Sequence, residues 1–386
     1  MIRTESSAAQ LDELLGTSIA AIDIPPAIRA RAVARYEEVA AFLAAHCPGE
    51  GDIHTQGSFR LGTVVAPVAA GGEYDMDLVY LRHVHRDSIT KLALKRDAGR
   101  SLRAFTDSHP EGNPELDEGK RCWTLDYPGE PFHMDTLPAI PDPDALEPAI
   151  LLTDRELREW QPSNPIGYAD WFRGEMLHEM TMLREAAAVA KRMDIEAVPE
   201  DEIKTTLQRT VQALKRHRDL HFGEDRDEFA PASIIITTLA ARAYTGRAGL
   251  FEVVSGITGR MADFVEMRNG VFWVENPVRP KENFADRWKG HARRAQTFCD
   301  WIEQAHADFS AFGDNLGIDQ VIEKMSLSLG EAAAHAAGRQ YGAERLARRN
   351  AGVLGVSAAG TLGVTSRAQA AVPRHTFHGD RPPLLP

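Results

Sequence analysis

The stretch that most constrains this chain is Glu73-Tyr-Asp-Met-Asp-Leu-Val-Tyr80. Met76, Leu78 and Tyr80 alternate with Asp75, Asp77 and Val79, and that alternation predicts a strand. A side-chain period of two puts Asp75 and Asp77 on the same face. Two carboxylates side by side repel each other and lose solvation, so the arrangement persists most readily where a divalent cation neutralises it. A second apolar run, Phe132-His-Met-Asp-Thr-Leu137, follows the strand-like Cys122-Trp-Thr-Leu-Asp-Tyr127 and a Pro-Gly turn. If the 132–137 strand lies beside the 74–81 strand, Asp135 joins the other two acids. Three hard oxygen ligands suit magnesium, with manganese as the alternative. A pair of such ions about 3.5–4 Å apart activates an attacking oxygen and steadies a leaving one.

Upstream, Gln56-Gly57-Ser58 forms a turn before a short helix-like segment that carries Arg60. Gly57 lets backbone approach a ligand, and Ser58 adds a hydroxyl to the exposed amides at a helix start, which together make a seat for a triphosphate. A Gly-Ser pair alone is an ordinary turn. Followed by two aspartates on one strand and a third on a later strand, it becomes specific.

On these residues the chain resembles the polymerase-β-type nucleotidyltransferases. More narrowly, it is similar to the bacterial CD-NTases, the anti-phage relatives of cyclic GMP–AMP synthase and oligoadenylate synthase. The resemblance runs from roughly residue 20 to 330. It implies an α+β fold: a polymerase-β-like nucleotidyltransferase core with a mixed sheet, then an oligoadenylate-synthase-like helical domain. It also implies an enzyme that links NTPs, ATP among them, into a cyclic di- or trinucleotide second messenger in CBASS-type defence, with Asp75, Asp77 and Asp135 as catalytic metal ligands. The alternatives are a linear oligoadenylate synthase, a terminal RNA nucleotidyltransferase and, from another class, a non-catalytic nucleotide sensor.

With 386 residues there is room for two domains. The expected division is a catalytic core at 1–165, a helical domain at 166–337 and a tail at 338–386. No run of about 18 apolar residues is present and the N-terminus lacks a signal-peptide pattern, so a cytoplasmic protein without membrane association is expected. Cys47, Cys122 and Cys299 are widely spaced, which argues for buried thiols rather than a disulfide framework or a zinc site. A net charge of −12 disfavours a broad nucleic-acid footprint.

Helices are expected at 25–46, 87–106, 174–193, 200–220, 231–245, 258–268, 283–311 and 318–348, and the proline-dense 138–170 reads as a crossing between domains. Within 200–220, Ile203, Leu207, Val211 and Leu214 make an apolar face. Stepping about 100° per residue from Ile203 puts Lys204, Gln208 and Lys215 near about 100°, 140° and 120°, a polar stripe at the edge of that face. The resemblance implies that a lysine of this helix, Lys215 or else Lys204, reaches the donor triphosphate. Ser233, near the start of the next helix, is a further candidate to face the nucleotide. Tyr244, Phe272 or the Tyr168–Trp171 region are candidates for stacking on a base. Residues 275–288 read as structural, with Asn283 capping a helix that buries Phe284 and Trp288. Past residue 338 arginines dominate (Arg339, Arg345, Arg348, Arg349, Arg367, Arg374, Arg381). This segment reads as a loosely packed tail, to which the resemblance adds the option of an arm for operon-encoded regulatory partners.

Overall fold

The computed structural model describes residues 5–46, 50–69, 71–109, 114–119, 122–153, 159–192, 203–223, 228–246, 249–314, 316–352, 354–356, 362–364 and 370–371. Cys47, Arg367, Arg374 and Arg381 lie outside them. Helix α1 (Glu5–Ala20) opens the chain and is followed by α2 (Pro26–His46), β1 (Gly51–Thr55), α3 (Gly57–Leu61), β2 (Tyr74–Arg82) and α4 (Lys91–Ser108). Then come β3 (Glu115–Glu118), β4 (Trp123–Asp126), β5 (Phe132–Pro141), β6 (Ile150–Thr153) and β7 (Trp160–Ser163). The seven strands form one mixed sheet in the order β1-β2-β5-β4-β3, with β6 continuing from the far half of β5 and β7 at its edge. β2 and β5 run parallel, and their neighbours are antiparallel.

Alternation along β2 divides the sheet into two functions. Tyr74, Met76, Leu78 and Tyr80 turn into a core with Met134 of β5, Leu102 and Phe105 of α4 and Val39 and Leu43 of α2. Asp75 and Asp77 therefore face the other side, away from the covering helices.

The remaining chain is a helical lobe: α5 (Pro165–Glu175), α6 (Leu177–Arg192), α7 (Thr206–Phe222), α8 (Ser233–Ala243) and α9 (Leu250–Thr258), then the hairpins β8 (Glu266–Arg268)–β9 (Val271–Trp273) and β10 (Glu275–Asn276)–β11 (Arg279–Asn283). It continues with α10 (Ala292–Ser310), α11 (Ile318–Leu329) and α12 (Glu331–Asn350). One large apolar cluster holds it together, with Leu214, Leu239, Phe298, Trp301 and Phe309 deeply buried. Leu11, Leu14, Leu15 and Ile19 of α1 belong to this cluster too, so the helical lobe includes the chain's first helix. Beyond α12 short strands β12 (Leu354–Val356), β13 (Leu362–Val364) and β14 (Ala370–Ala371) pair with one another.

Several expected elements are redrawn. The proline-dense 138–170 supplies the end of β5, then β6, β7 and α5. Its prolines sit where a ladder tolerates them. Pro138 falls between Thr136, the last residue paired to β4, and Ala139, the first paired to β6, and Pro162 is on the edge strand β7. Pro165 starts α5 behind Asn164, whose side chain accepts from the Gly167 amide. The helix expected at 258–268 lies earlier, at Leu250–Thr258, because Asn269 and Gly270 both adopt positive φ and close the β8–β9 hairpin. The one expected at 283–311 begins at Ala292. Asn283 caps no helix there; it ends β11 and accepts from the Val274 and Ala285 amides. The one expected at 318–348 breaks at Gly330 (φ 97°), and α12 then runs unbroken past residue 338. Cys122 and Cys299 are half-buried rather than enclosed.

A tight contact underlies the sheet. Gly99 of α4 packs so closely on the Trp123 indole, itself fixed by a bond from its ring nitrogen to the Lys95 carbonyl, that an added Cβ would overlap the ring. Gly99→Ala is expected to destabilise the protein by about 1–3 kcal/mol in denaturant unfolding despite the gain in helix propensity. Unchanged or raised stability would show that the indole can give way.

Candidate active site

β2 and β5 bring the three acids together through their register. Asp77 pairs directly with Asp135 and Asp75 lies two residues before Asp77 on the same face. Each of the three carboxylates presents an oxygen within 4.8 Å of the others. Burial pushes the Asp77 carboxyl up to about 7, and the charges of Asp75 and Asp135 add to that shift. The Asp75 carboxyl is raised as well, first by burial and then by Asp135, against an opposing pull from His133. A cluster of hard oxygen donors that hold one another's charge in check fits a divalent cation, which these three residues could hold.

Two side chains that the sequence reading passed over steady the cluster. Thr124 of β4 donates its hydroxyl to Asp135 Oδ1. His133 of β5 places Nδ1 3.0 Å from Glu73 Oε2 and Nε2 3.6 Å from Asp75 Oδ1. The signal for His133 is present in the alternation of Phe-His-Met-Asp, which puts it on the same face as Asp135.

The turn at Gln56–Ser58 lies against this cluster. The Gln56 amide donates to the Asp77 carbonyl at 2.9 Å, and Gly57 adopts φ +61°. A Cβ at Gly57 would strike the Asp77 carboxylate, so glycine is required both by conformation and by space. The side chain of Gln56 makes no cap to α3, which leaves the first amides of that helix uncapped. Arg60 is half-buried, with Nη1 on the Thr55 carbonyl and Nε without a partner. Gln56, Gly57 and Arg60 line a cleft of about 300 Å³ between the two lobes.

The polar stripe of α7 has a different role from the expected one. It does not open onto a cleft but docks the lobes. Gln208, Gln212, Lys215 and Arg216 donate to the carbonyls of Leu61, Val64, Thr63 and Ala66 respectively. Lys215 is only 6% exposed, uses two donors on Thr63, and is pushed down to about 7 mainly by burial, with Asp77 among the charges that oppose the shift. Lys204 precedes the helix, as does Ile203, and its ammonium is bound to Asp23, apart from the carboxylate cluster. Ser233 accepts from Arg218. Of the stacking candidates, Tyr168 lines the cleft; Tyr244 is tied to Glu179 and Phe272 packs on Trp288.

Residues 51–138, which hold the turn and all three aspartates, match the family model described as cyclic GMP-AMP synthase DncV-like, nucleotidyltransferase domain. Over those residues the chain is similar to the DncV-like nucleotidyltransferases, the domain of the CD-NTases. Along nearly its whole length, 98% of this chain and 100% of the relative, it is 28% identical to a c-di-GMP synthase of Roseivirga ehrenbergii. It is 25% identical to the cyclic dinucleotide synthase CdnG of Bradyrhizobium diazoefficiens, over 96% of this chain and 95% of that protein. The fold matches the structure of that CdnG in complex with GTP at a TM-score of 0.65 and 22% identity, over 86% of this chain and 99% of the other. It matches Vibrio cholerae DncV in complex with nonhydrolyzable GTP at 0.55 and 16%, over 86% and 90%. The likeness to these structures is one of fold, an α+β core joined to a helical lobe.

Two predictions follow from the geometry. A cation at the triad competes with a proton on Asp77 below pH 7 and no longer does so above it. The rise in melting temperature on adding magnesium or manganese should therefore be larger at pH 8 than at pH 6, and should vanish in Asp77→Asn. Gly57→Ala should fold but lose at least about a hundredfold in turnover, the scale of a displacement of about 1 Å at reacting groups; wild-type turnover would mean the turn and the acids need not touch.

Proposed function

We propose that this enzyme joins nucleoside triphosphates into a cyclic dinucleotide, or a cyclic trinucleotide, as a second messenger of a CBASS-type response in the cytoplasm. The observation that carries the reading is the convergence of Asp75, Asp77 and Asp135 beneath the Gly57 turn. The names of its relatives, both cyclic dinucleotide synthases, support the cyclic product.

Each bond forms when an acceptor ribose hydroxyl attacks the α-phosphorus of a donor NTP and pyrophosphate leaves. Two magnesium ions held by the three aspartates would neutralise the donor phosphates and acidify that hydroxyl. The chain's own residues do the positioning. The uncapped amides at Gly57 and Ser58, the Ser58 hydroxyl and the Arg60 guanidinium bind the leaving phosphates. Thr124 fixes the Asp135 carboxylate, and His133, bonded to Glu73, stands 3.6 Å from that of Asp75. Lys215, buried beneath the turn, offsets part of the negative charge at Asp77 and keeps one donor beyond the two bonded to Thr63. Lys204 is engaged by Asp23 and Ser233 by Arg218.

Incubating the protein with all four NTPs and magnesium, then phosphatase, and reading the products by mass spectrometry tests the proposal. A phosphatase-resistant cyclic product is expected. Chelating the metal should abolish it, and Asp77→Asn should lower turnover by at least about a thousandfold, the rate equivalent of several kcal/mol of lost charge stabilisation. A product that phosphatase degrades would point to a linear polymerase instead.

A further inference from the structure

The cleft that holds Gly57 and Arg60 at its catalytic side takes its other wall from the helical lobe. Ile234 and Phe284 supply apolar surface there, Leu137 and Leu152 add more from the sheet, and Asn276 and Glu282 supply polar groups. Such a mixture of apolar surface and placed polar groups is how a flat ligand is bound and oriented.

Glu282 is the unusual member. It sits on β11, and burial pushes its carboxyl up from the usual range. Its Oε2 accepts from Asn276 Nδ2 at 2.7 Å. Asn276 is itself buried, and its Oδ1 accepts from the Val278 amide, so the amide is fixed with its NH2 toward the carboxylate. No salt bridge reaches Glu282 among the described residues, although the charge of Arg279 opposes the upward shift. Arg279 on the same strand donates instead to Asp142 and to the Ser163 carbonyl. A held, half-desolvated carboxylate with Asn276 on one oxygen keeps acceptor capacity to fill, and that capacity defines what binds well there.

The bases differ in what they offer such a group. Guanine presents two adjacent donors, N1–H and the N2 amino group, which match a carboxylate fork. Adenine presents an acceptor at N1 beside one amino donor. Cytosine likewise pairs an acceptor with one donor, and uracil offers a single N–H between two carbonyls. We infer that Glu282, oriented by Asn276, selects guanine as the base of the nucleotide whose phosphates rest at Gly57 and Ser58. This rests on the proposed function only in taking the cleft to hold a nucleotide. It adds a specificity-determining residue on the lobe opposite the aspartates.

Equilibrium binding separates the two readings, because it needs no turnover. The affinities of nonhydrolysable GTP, ATP and ITP analogues are measured with magnesium for the wild type, Glu282→Gln and Glu282→Ala. The wild type is expected to prefer the guanosine to the adenosine analogue by about ten- to a hundredfold, the discrimination of a good bidentate contact. Inosine, which lacks the N2 amino group, should fall between them. Both variants should lose that preference, through weaker guanosine binding with adenosine binding held or improved. Equal wild-type affinity for guanosine and adenosine would overturn the inference. So would a uniform loss for all three analogues in the variants, the mark of a merely structural role. Should neither variant fold, the inosine comparison in the wild type still decides. A cyclic product made from ATP alone would keep the proposed function and remove guanine selection; guanosine-selective binding without any cyclic product would do the reverse.

Discussion

The row of donors on α7 is the interaction on which the active site depends. Residues 61–66 leave the phosphate turn without entering a strand, so their carbonyls have no ladder to bond in. Four of them are met by side chains from the other lobe, at positions 208, 212, 215 and 216. That is the i, i+4, i+7, i+8 pattern of one helical face. A buried carbonyl left without a partner costs about 1–3 kcal/mol, whereas a formed bond contributes only about 0.5–1.5. The join therefore resists loss more strongly than it drives association. Directional bonds also fix register in a way an apolar seam would not, and the Gly57 turn inherits that register. Lys215 shows the opposing term: its enclosure pushes the ammonium down to about 7, so the join carries a desolvation penalty beside the carboxylates.

Within the catalytic lobe a single parity rule does the sorting. Even positions of β2 build the core and odd positions carry the acids, so moving one residue in register would bury Asp75 and Asp77 in apolar surroundings. The parallel pairing with β5 then sets Asp135 opposite Asp77. What results is a site whose charges oppose one another until something positive arrives, which is why burial and like charge together raise the Asp77 carboxyl.

These features were legible because they rest on local period. Alternation at 74–80 and 132–137 places the acids, and the 3.6-residue period of α7 places its buried face correctly. What the period cannot say is which partner a polar stripe meets. Lys204, just before the helix, meets Asp23 and Lys215 meets Thr63, contacts across about 150–180 residues that no local pattern encodes. The strands in 138–170 were hidden because prolines are counted against strands, while only their position relative to the ladder matters. Asn269-Gly270 carries the signal of a two-residue hairpin turn, which the helix expected at 258–268 left out of account. Glu282 was hidden most deeply. A Pro-Lys-Glu-Asn stretch reads as turn chemistry until Asn276, six residues away, is seen to hold the carboxylate.

The division of the cleft between lobes gives the lobe join a role in chemistry. The phosphate seat belongs to the sheet, through Gly57 and Asp77, while Asn276 and Glu282 belong to the helical lobe. A nucleotide that touches both is positioned by the distance between them, and two sets of bonds control that distance. One is the α7 row. The other is Arg279, on the same strand as Glu282, whose guanidinium reaches back to the buried Asp142 just after β5 and to the Ser163 carbonyl at the end of β7. Asp142 is in turn one residue beyond the end of the strand that carries Asp135. The base-reading strand and the metal-holding strand are thus tied through one ion pair, and a base that fails to satisfy Glu282 leaves its phosphates misplaced over the aspartates. Selection of the base and alignment of the α-phosphorus become the same event, since a displacement of about 1 Å at the reacting atoms is enough to lower the rate by orders of magnitude.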